Sequence, residues 1–256
     1  MSIYRRPKYY EIAFGSLNVG QQVDTFEKII EKFSKIKVNR FLDIACGPSK
    51  QLIEIARRGY EAVGLDLSTK MLKYLSEKAD KEHLSIDTVC ADMCDFRLRQ
   101  RADFAFIMMG SLALGSNSMY LNHLRSVARS LNKGGLYFIQ NKIVDWMDTG
   151  NYKWVAKERG TSVRVTLNTY WKDILRQILS REVVLEVNEN GNKKRFKMNE
   201  DLKFVFPEEF KLLIKLSGGF DFLGWWEGNG NTWFLDKPLD KSEALSNNNM
   251  VLLRRR

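Results

Sequence analysis

Phe41-Leu42-Asp43-Ile44-Ala45-Cys46-Gly47-Pro48-Ser49-Lys50 runs from a short apolar segment into an acid, then through a turn of small residues into a helical pattern. A second apolar run, Ala62-Val63-Gly64-Leu65-Asp66, also ends in an acid, 23 residues beyond Asp43. A buried parallel strand reads as such a run, and its carboxyl end is where an α/β sheet builds a nucleoside pocket. Ala45, Cys46 and Gly47 lack bulk, so backbone there can approach a ligand closely. The three spaced glycines of a dinucleotide fingerprint and the Gly-Lys-Ser/Thr of a phosphate loop are both missing.

Outward from this pair of strands the pattern repeats. Val23, Phe26, Ile29, Ile30, Phe33 and Ile36 have helical spacing across residues 22–37, opposite a Lys/Glu face. Pro48 suits the first turn of a helix carried by Leu52, Ile53, Ile55 and Ala56 up to Gly59. Ser68 can cap a helix with Met71, Leu72, Leu75 and Ala79 inside. Residues 85–90 form the third strand, and the unbroken run Phe104–Met109 predicts a central strand covered on both faces. A helix with Leu121, Leu124, Val127, Ala128 and Leu131 precedes Lys133-Gly134-Gly135, and Leu136–Ile139 starts the fifth strand. Strand and helix in alternation predict a parallel sheet with right-handed crossovers.

After residue 146 the pattern changes. Thr161–Tyr170, Ile174–Val187 and Lys194–Phe206 alternate polar and apolar positions, and Asn188–Asn192 is a hairpin turn. Residues 147–205 therefore read as an inserted antiparallel β subdomain, a lid for the substrate. Residues 1–146 hold the N-terminal helices and the cofactor-binding core. Residues 206–256 complete that core: a helix from Pro207 past Phe210 and Leu213 to Gly218, then strands at 220–226 and 250–253. A Gly/Asn/Asp-rich connection at about 227–249 joins those strands. Trp225, Trp226 and Trp233 read either as a packed corner or as a wall of the substrate cavity.

Composition bounds the function. With 256 residues, 44% apolar and 12% aromatic, the chain has material for a large core. No apolar run reaches the roughly 18 residues of a membrane span, and no apolar segment follows the basic N-terminus, so the expectation is a cytoplasmic protein without membrane contact. Three cysteines and two histidines give no closed zinc set, so no metal is expected. Net charge is +10, from 41 Lys+Arg against 31 Asp+Glu, with the positive residues dispersed. That charge keeps nucleic acid as an alternative partner to a small molecule.

The acids narrow the ligand. Asp66 is placed to accept from both hydroxyls of a ribose. Asp92, after the third strand, can accept from an adenine amino group, and Met93 offers the ring a polarizable surface. Asp43 can hold a cationic amine or order the turn beneath it. Three acids on consecutive strand ends make a poor pyrophosphate site. They suit a ligand cationic at one end and a neutral nucleoside at the other, which favours S-adenosylmethionine over NAD.

On these motifs the chain resembles the class I S-adenosylmethionine-dependent methyltransferases, over roughly residues 20–145 and more weakly through 206–256. Phe41–Gly47 resembles the family's first motif, Gly64–Ser68 the ribose motif and Ala91–Asp95 the adenine motif. Leu131–Leu136 resembles the lead into the fifth strand. Tyr9–Ala13, Gln22-Val23-Asp24 and Phe206–Glu209 are similar to a subgroup with an antiparallel insertion. The resemblance implies a Rossmann-like α/β fold with a seven-stranded mixed sheet, order 3-2-1-4-5-7-6, strand seven antiparallel. It implies S-adenosylmethionine as cofactor, held by Tyr10, Asp43, Ala45, Cys46, Gly47, Asp66, Leu67, Met71, Asp92, Met93 and Met109. Tyr10, with Tyr9 as the alternative, would close over the methionine end. Three departures stand out: Ala45 where glycine is common, Pro48-Ser49 where Thr/Ser-Gly is usual, and Trp225–Gly230 in place of a Gly-Asp-Phe-Asp segment.

The expected activity is methyl transfer to a small-molecule acceptor, by a monomer or homodimer. The alternatives are an RNA or protein methyltransferase and a non-catalytic S-adenosylmethionine-binding regulator. No residue claims the role of general base, and His123 reads as a surface or packing residue. Met108-Met109 and Gly110-Ser111 stand where the fourth strand opens toward the acceptor.

Overall fold

The computed structural model describes residues 3–140, 149–228, 233–239 and 248–256. After a single 3-10 turn at Ile3–Arg5, the first elements are α1 (Pro7–Phe14), α2 (Val19–Phe33), β1 (Arg40–Ile44), α3 (Lys50–Arg57), β2 (Glu61–Asp66) and α4 (Thr69–Lys81). Next come β3 (Ile86–Cys90), β4 (Ala102–Ile107), α5 (Asn117–Ser130) and β5 (Leu131–Gln140). Then follow β6 (Asn151–Glu158), β7 (Thr161–Asp173), β8 (Ile178–Glu189) and β9 (Asn192–Lys203). The chain finishes with α6 (Pro207–Ser217), β10 (Phe220–Gly228), β11 (Trp233–Pro238) and β12 (Asn249–Arg255). The elements fall into two units: residues 18–145 with 205–256, and residues 1–17 with 146–204.

The larger unit is built on an eight-stranded sheet, β11-β10-β12-β5-β4-β1-β2-β3. β1 to β5 pair in parallel, and β12 is antiparallel to both β5 and β10. The expected order 3-2-1-4-5-7-6 is present in these strands. The eighth strand corrects the expectation: Trp233–Pro238, placed in a connecting loop, pairs antiparallel with β10 at the sheet edge. The Gly/Asn-rich residues around it masked its short apolar run. Residues 229–232 and 240–247 of that connection, and the domain boundary at 146/147, lie outside the described residues.

Helices cover both faces of this sheet because both faces are apolar. β4 is buried at every position. On one face α2, α3 and α4 contribute Val23, Phe26, Leu52, Ile55, Leu72 and Leu75. Phe26 alone contacts the rings of Phe104, Phe106 and Phe138 at 5.3, 5.0 and 5.1 Å between centroids. On the other face α5 and α6 contribute Tyr120, Leu124, Val127, Phe210 and Leu213. The side-chain period of two sends Trp225 and Trp226 to opposite faces of β10. Trp225 packs on Phe210 and Phe222, and Trp226 packs on Phe33. Trp233 sits against Phe138. Trp225 thus lies in the core on one face of the sheet and Trp226 and Trp233 in the core on the other, all three buried, so the three do not line one common wall.

Two boundaries shift for local reasons. α2 ends at Phe33, where Ser34 turns extended and donates its amide to the Ile30 carbonyl, so Ile36 lies beyond the helix. α3 starts at Lys50, with Ser49 as its cap, so Pro48 precedes the helix instead of opening it.

The smaller unit is the four-stranded antiparallel sheet β6-β7-β8-β9. β6 was not singled out in the sequence, since its exposed positions hide the alternation. The 188–192 turn joins β8 and β9 as expected. α1 belongs here and not with the α/β core: Tyr9, Ile12 and Ala13 cluster with Val163, Val165, Leu185 and Phe196. Tyr9 also donates its hydroxyl to Glu189 at 2.8 Å.

Candidate cofactor site

The strand order reverses between β1 and β4, and this switch point is where open α/β sheets leave a crevice for ligands. The first site loop leaves β1 there. Asp43 is buried, with 3% of its surface exposed, and accepts the Ser49 hydroxyl proton at 2.6 Å. Ser49 Oγ in turn accepts the Leu52 amide at 3.1 Å, capping α3. A serine cap contributes about 1 kcal/mol to its helix. Of the two roles open to Asp43, the geometry shows the ordering of the turn. Burial pushes its carboxyl well above the usual range, and Asp66 nearby adds to the shift. Ser49, a departure from the family pattern, is therefore a working part of the loop.

Ala45 and Gly47 hold the left-handed conformation, with φ of 55° and 54°. Alanine carries a steric cost there that glycine avoids. Ala45→Gly is expected to stabilise the protein by about 1 kcal/mol, seen as a higher urea midpoint. Cys46 donates its amide to the Leu65 carbonyl at 3.0 Å, tying the turn to β2. Its thiol is buried and pushed well up by desolvation, so it is no nucleophile.

Asp66 organises the next strand end. It accepts the Gly47 amide at 2.8 Å and the Ser68 amide at 2.7 Å, and the Leu67 amide also bonds to it. One carboxylate thus joins the first loop to the start of α4. Burial raises its pKa, while these three amides oppose the shift. A carboxylate offers about four acceptor positions, so capacity remains for ligand hydroxyls. Beside it, the Leu67 side chain is 73% exposed, whereas Met71 is buried on the inner face of α4.

Beyond β3, Asp92 is exposed and accepts the Cys94 amide at 2.8 Å. Burial, then the Asp92 charge, raise the Cys94 thiol to about 12. Met93 is half-buried, and its carbonyl lies 2.9 Å from His123 Nδ1. His123 is fully buried, not at the surface. A carbonyl can only accept, so Nδ1 carries the proton and Nε2 accepts the Tyr137 hydroxyl at 2.7 Å. At the end of β4, Met109 and Gly110 both have positive φ, 57° and 65°. The Met109 amide donates to Gln140 Oε1 at 2.7 Å, and its side chain is partly exposed.

Asp43, Ala45, Cys46, Gly47, Asp66, Leu67, Met71, Asp92, Met93 and Met109 all belong to the larger unit, at or just past the carboxyl ends of its strands. Tyr10 belongs to the smaller unit, where its ring contacts Tyr4 and Phe14. The supporting residues His123, Ser126 and Gln140 carried no motif. The only sequence signal was the i, i+3 spacing of two polar residues inside an apolar helix face. The basic cluster in the smaller unit is partly neutralised: Arg164, Lys193, Lys194 and Arg195 share an open groove with Glu186. Lys194 is also bonded to Glu189 and Tyr9.

Burial lowers His123 to about 4, while the nearby Asp92 charge and the bond to Met93 act the other way. The unfolded chain, with a histidine near 6.5, takes up this proton first. Stability should therefore fall as pH drops from about 6.5 towards 4. His123→Asn should flatten that part of the profile relative to the parent, as measured by urea unfolding at several pH values.

Residues 41–135 match a family model described as "Methyltransferase domain". A ubiquinone biosynthesis O-methyltransferase of Bradyrhizobium sp. (strain ORS 278) is 27% identical over 184 residues, 72% of this chain and 59% of the relative. The match to its counterpart in Nitrobacter winogradskyi covers 65% of that relative, so the chain spans less than two thirds of the length of these curated proteins. A solved S-adenosylmethionine-dependent methyltransferase from Clostridium acetobutylicum superimposes with a TM-score of 0.74 at 15% identity, covering 96% of this chain and 95% of that one. SAM-bound CalS10, an amino pentose methyltransferase from Micromonospora echinaspora, gives 0.72 at 16% identity, covering 96% of each. At such identities the likeness establishes the fold. Among the described residues no helix is long and apolar enough to cross a membrane.

Proposed function

We propose that this chain, which carries a methyltransferase domain over residues 41–135 on the class I methyltransferase fold, moves the methyl group of S-adenosylmethionine to a small-molecule acceptor. The observation that carries the reading is Asp66. Its carboxyl has a pKa raised by burial, is held by three amides, and stands at the carboxyl end of β2, the strand beside β1. Such a group gains most from ligand hydroxyls that replace its lost water. A ribose diol fits it, and the small turn Ala45–Gly47 lets that sugar come close.

When bound, S-adenosylmethionine supplies an electrophilic methyl on a sulfonium. The chemistry it would supply is in-line transfer of that methyl to a nucleophile of the acceptor, with a neutral thioether as a leaving group that needs no proton. The protein's part is then orientation and exclusion of water. In this reading Asp66 fixes the ribose, Asp92 accepts from the adenine amino group, and Met93 and Leu67 give the ring apolar surface. Met109, projected by its left-handed turn, borders the acceptor side. A metabolite acceptor is supported by the curated relative named for ubiquinone biosynthesis and the solved one named for an amino pentose. We place the protein in the cytoplasm.

Calorimetry with S-adenosylmethionine and S-adenosylhomocysteine tests the cofactor. Saturable one-to-one binding of both is expected, and no heat at millimolar ligand would refute the reading. Transfer of a labelled methyl to a panel of phenols and amino sugars tests the acceptor class. Labelling of RNA or protein alone would overturn it.

A further inference from the structure

The loop between β3 and β4, residues 91–101, has no helix of its own to hold it, yet it carries the group assigned to the adenine. It is held instead by one face of α5. His123, Ser126 and Ser130 lie at i, i+3 and i+7, so they share a face, and all three are fully buried. His123 donates to the Met93 carbonyl at 2.9 Å. Ser126 donates its hydroxyl to the Cys94 carbonyl at 3.0 Å. Ser130 accepts the Leu98 amide at 3.3 Å. Tyr137 of β5, itself fully buried, fixes the imidazole by donating to Nε2 at 2.7 Å. The two carbonyls gripped by His123 and Ser126 belong to the residues directly after Asp92. The amide that orients the Asp92 carboxylate belongs to Cys94.

We infer that His123 is a positioning residue for nucleobase recognition: with Ser126, it sets the backbone of Met93 and Cys94 so that the Asp92 carboxylate meets a 6-amino purine. Packing a helix on a sheet calls for apolar residues, not for polar groups at these three α5 positions. Three buried polar groups aimed at one loop instead fix that loop's position. A buried hydrogen-bonded network tolerates only one arrangement, because any slip leaves polar atoms unpaired. The inference rests on the reading of Asp92 as the adenine acceptor.

The test compares S-adenosylhomocysteine with S-inosylhomocysteine, whose base presents a carbonyl where adenine has its amino group. Ribose and homocysteine are identical in the two, so their ratio of affinities reports on the base alone. The parent protein is expected to prefer the adenosyl compound by about tenfold or more, the value of one charge-assisted hydrogen bond. His123→Leu should bring the ratio to within about threefold. His123→Asn, whose amide N–H stands where Nδ1–H was, should restore most of it. His123→Gln, which reaches Tyr137 instead, should not. A merely structural loss would weaken both ligands alike and leave the ratio intact. If His123→Leu folds and keeps the parent ratio, the inference fails while the cofactor reading stands. If the parent binds both compounds equally, the assignment of Asp92 fails first. Should His123→Leu not fold, Ser126→Ala carries the test: a reduced ratio supports the inference and an unchanged one overturns it.

Discussion

Asp66→Ala is expected to weaken S-adenosylmethionine binding about 100-fold. The substitution removes the acceptor proposed for the ribose hydroxyls and leaves the amides of Gly47, Leu67 and Ser68 without their partner. The loss therefore comes from both the ligand contact and the shape of the turn. A 100-fold loss is about 2.7 kcal/mol and one hydrogen bond to a charged group is worth about 1.5–3 kcal/mol, so the lost ligand contact supplies most of the effect and the loosened turn the rest. Asp66→Asn, which keeps one carbonyl oxygen, should fall between the variant and the parent. Calorimetry decides the matter, and affinity within threefold of the parent would remove Asp66 from the site. Burial also raises the proton affinity of this carboxyl. The parent's affinity should consequently decline as pH falls through that raised pKa, because the proton competes with the ligand's hydroxyls. The alanine variant should lack that dependence.

Gly64→Val is expected to cost about 3 kcal/mol of stability, the upper range for overpacking a tight core. A side chain at this position in β2 would begin 2.9 Å from Cys46 Sγ, 3.0 Å from Leu52 Cδ1 and 3.1 Å from Leu75 Cδ2. Those neighbours come from the cofactor turn, α3 and α4, so relief at one requires movement in the others. For a chain of this size the midpoint of thermal unfolding should drop by roughly 5–10 °C. Since Cys46 lies in the turn itself, cofactor binding should weaken in parallel. A fall of less than 1 kcal/mol in denaturant unfolding would show that the three neighbours can repack.

The α/β core was legible because β1, β2 and β4 are short, largely apolar runs, each followed by an amphipathic helix. Asp43, Asp66 and Asp92 stood out as the acids closing such runs. What the sequence hid has particular causes. β11 is a short edge strand, and its apolar residues Trp233, Phe234 and Leu235 are outnumbered by surrounding polar and glycine residues. β6 has mostly exposed positions, so alternation is weak. The place of α1 depends on Tyr9, Ile12 and Ala13 meeting strands far later in the chain, as where Trp154 bonds Ala13 across 141 residues, a distance no local pattern records. His123 read as incidental because its i, i+3 spacing to Ser126 matches no motif, and its partner Met93 contributes only a backbone carbonyl. Ser49 looked like a lapse from the family pattern, yet its hydroxyl does what a glycine could not by joining Asp43 to the cap of α3.

That hydroxyl bears on the order in which the protein forms. The bonds that close the first loop link Asp43 to Ser49 and Ser49 to Leu52, six and three residues apart. Contacts so near in sequence require little loop closure and arise early. The bond from Gly47 to Asp66 spans nineteen residues and must await the pairing of β2 with β1. The bonds to His123 and Ser126 span thirty or more and come with α5. On loop-closure cost alone the turn is expected to form first, its bond to Asp66 second and the anchoring of the 93–94 loop third, so that the proposed nucleoside site is complete only once α5 has docked.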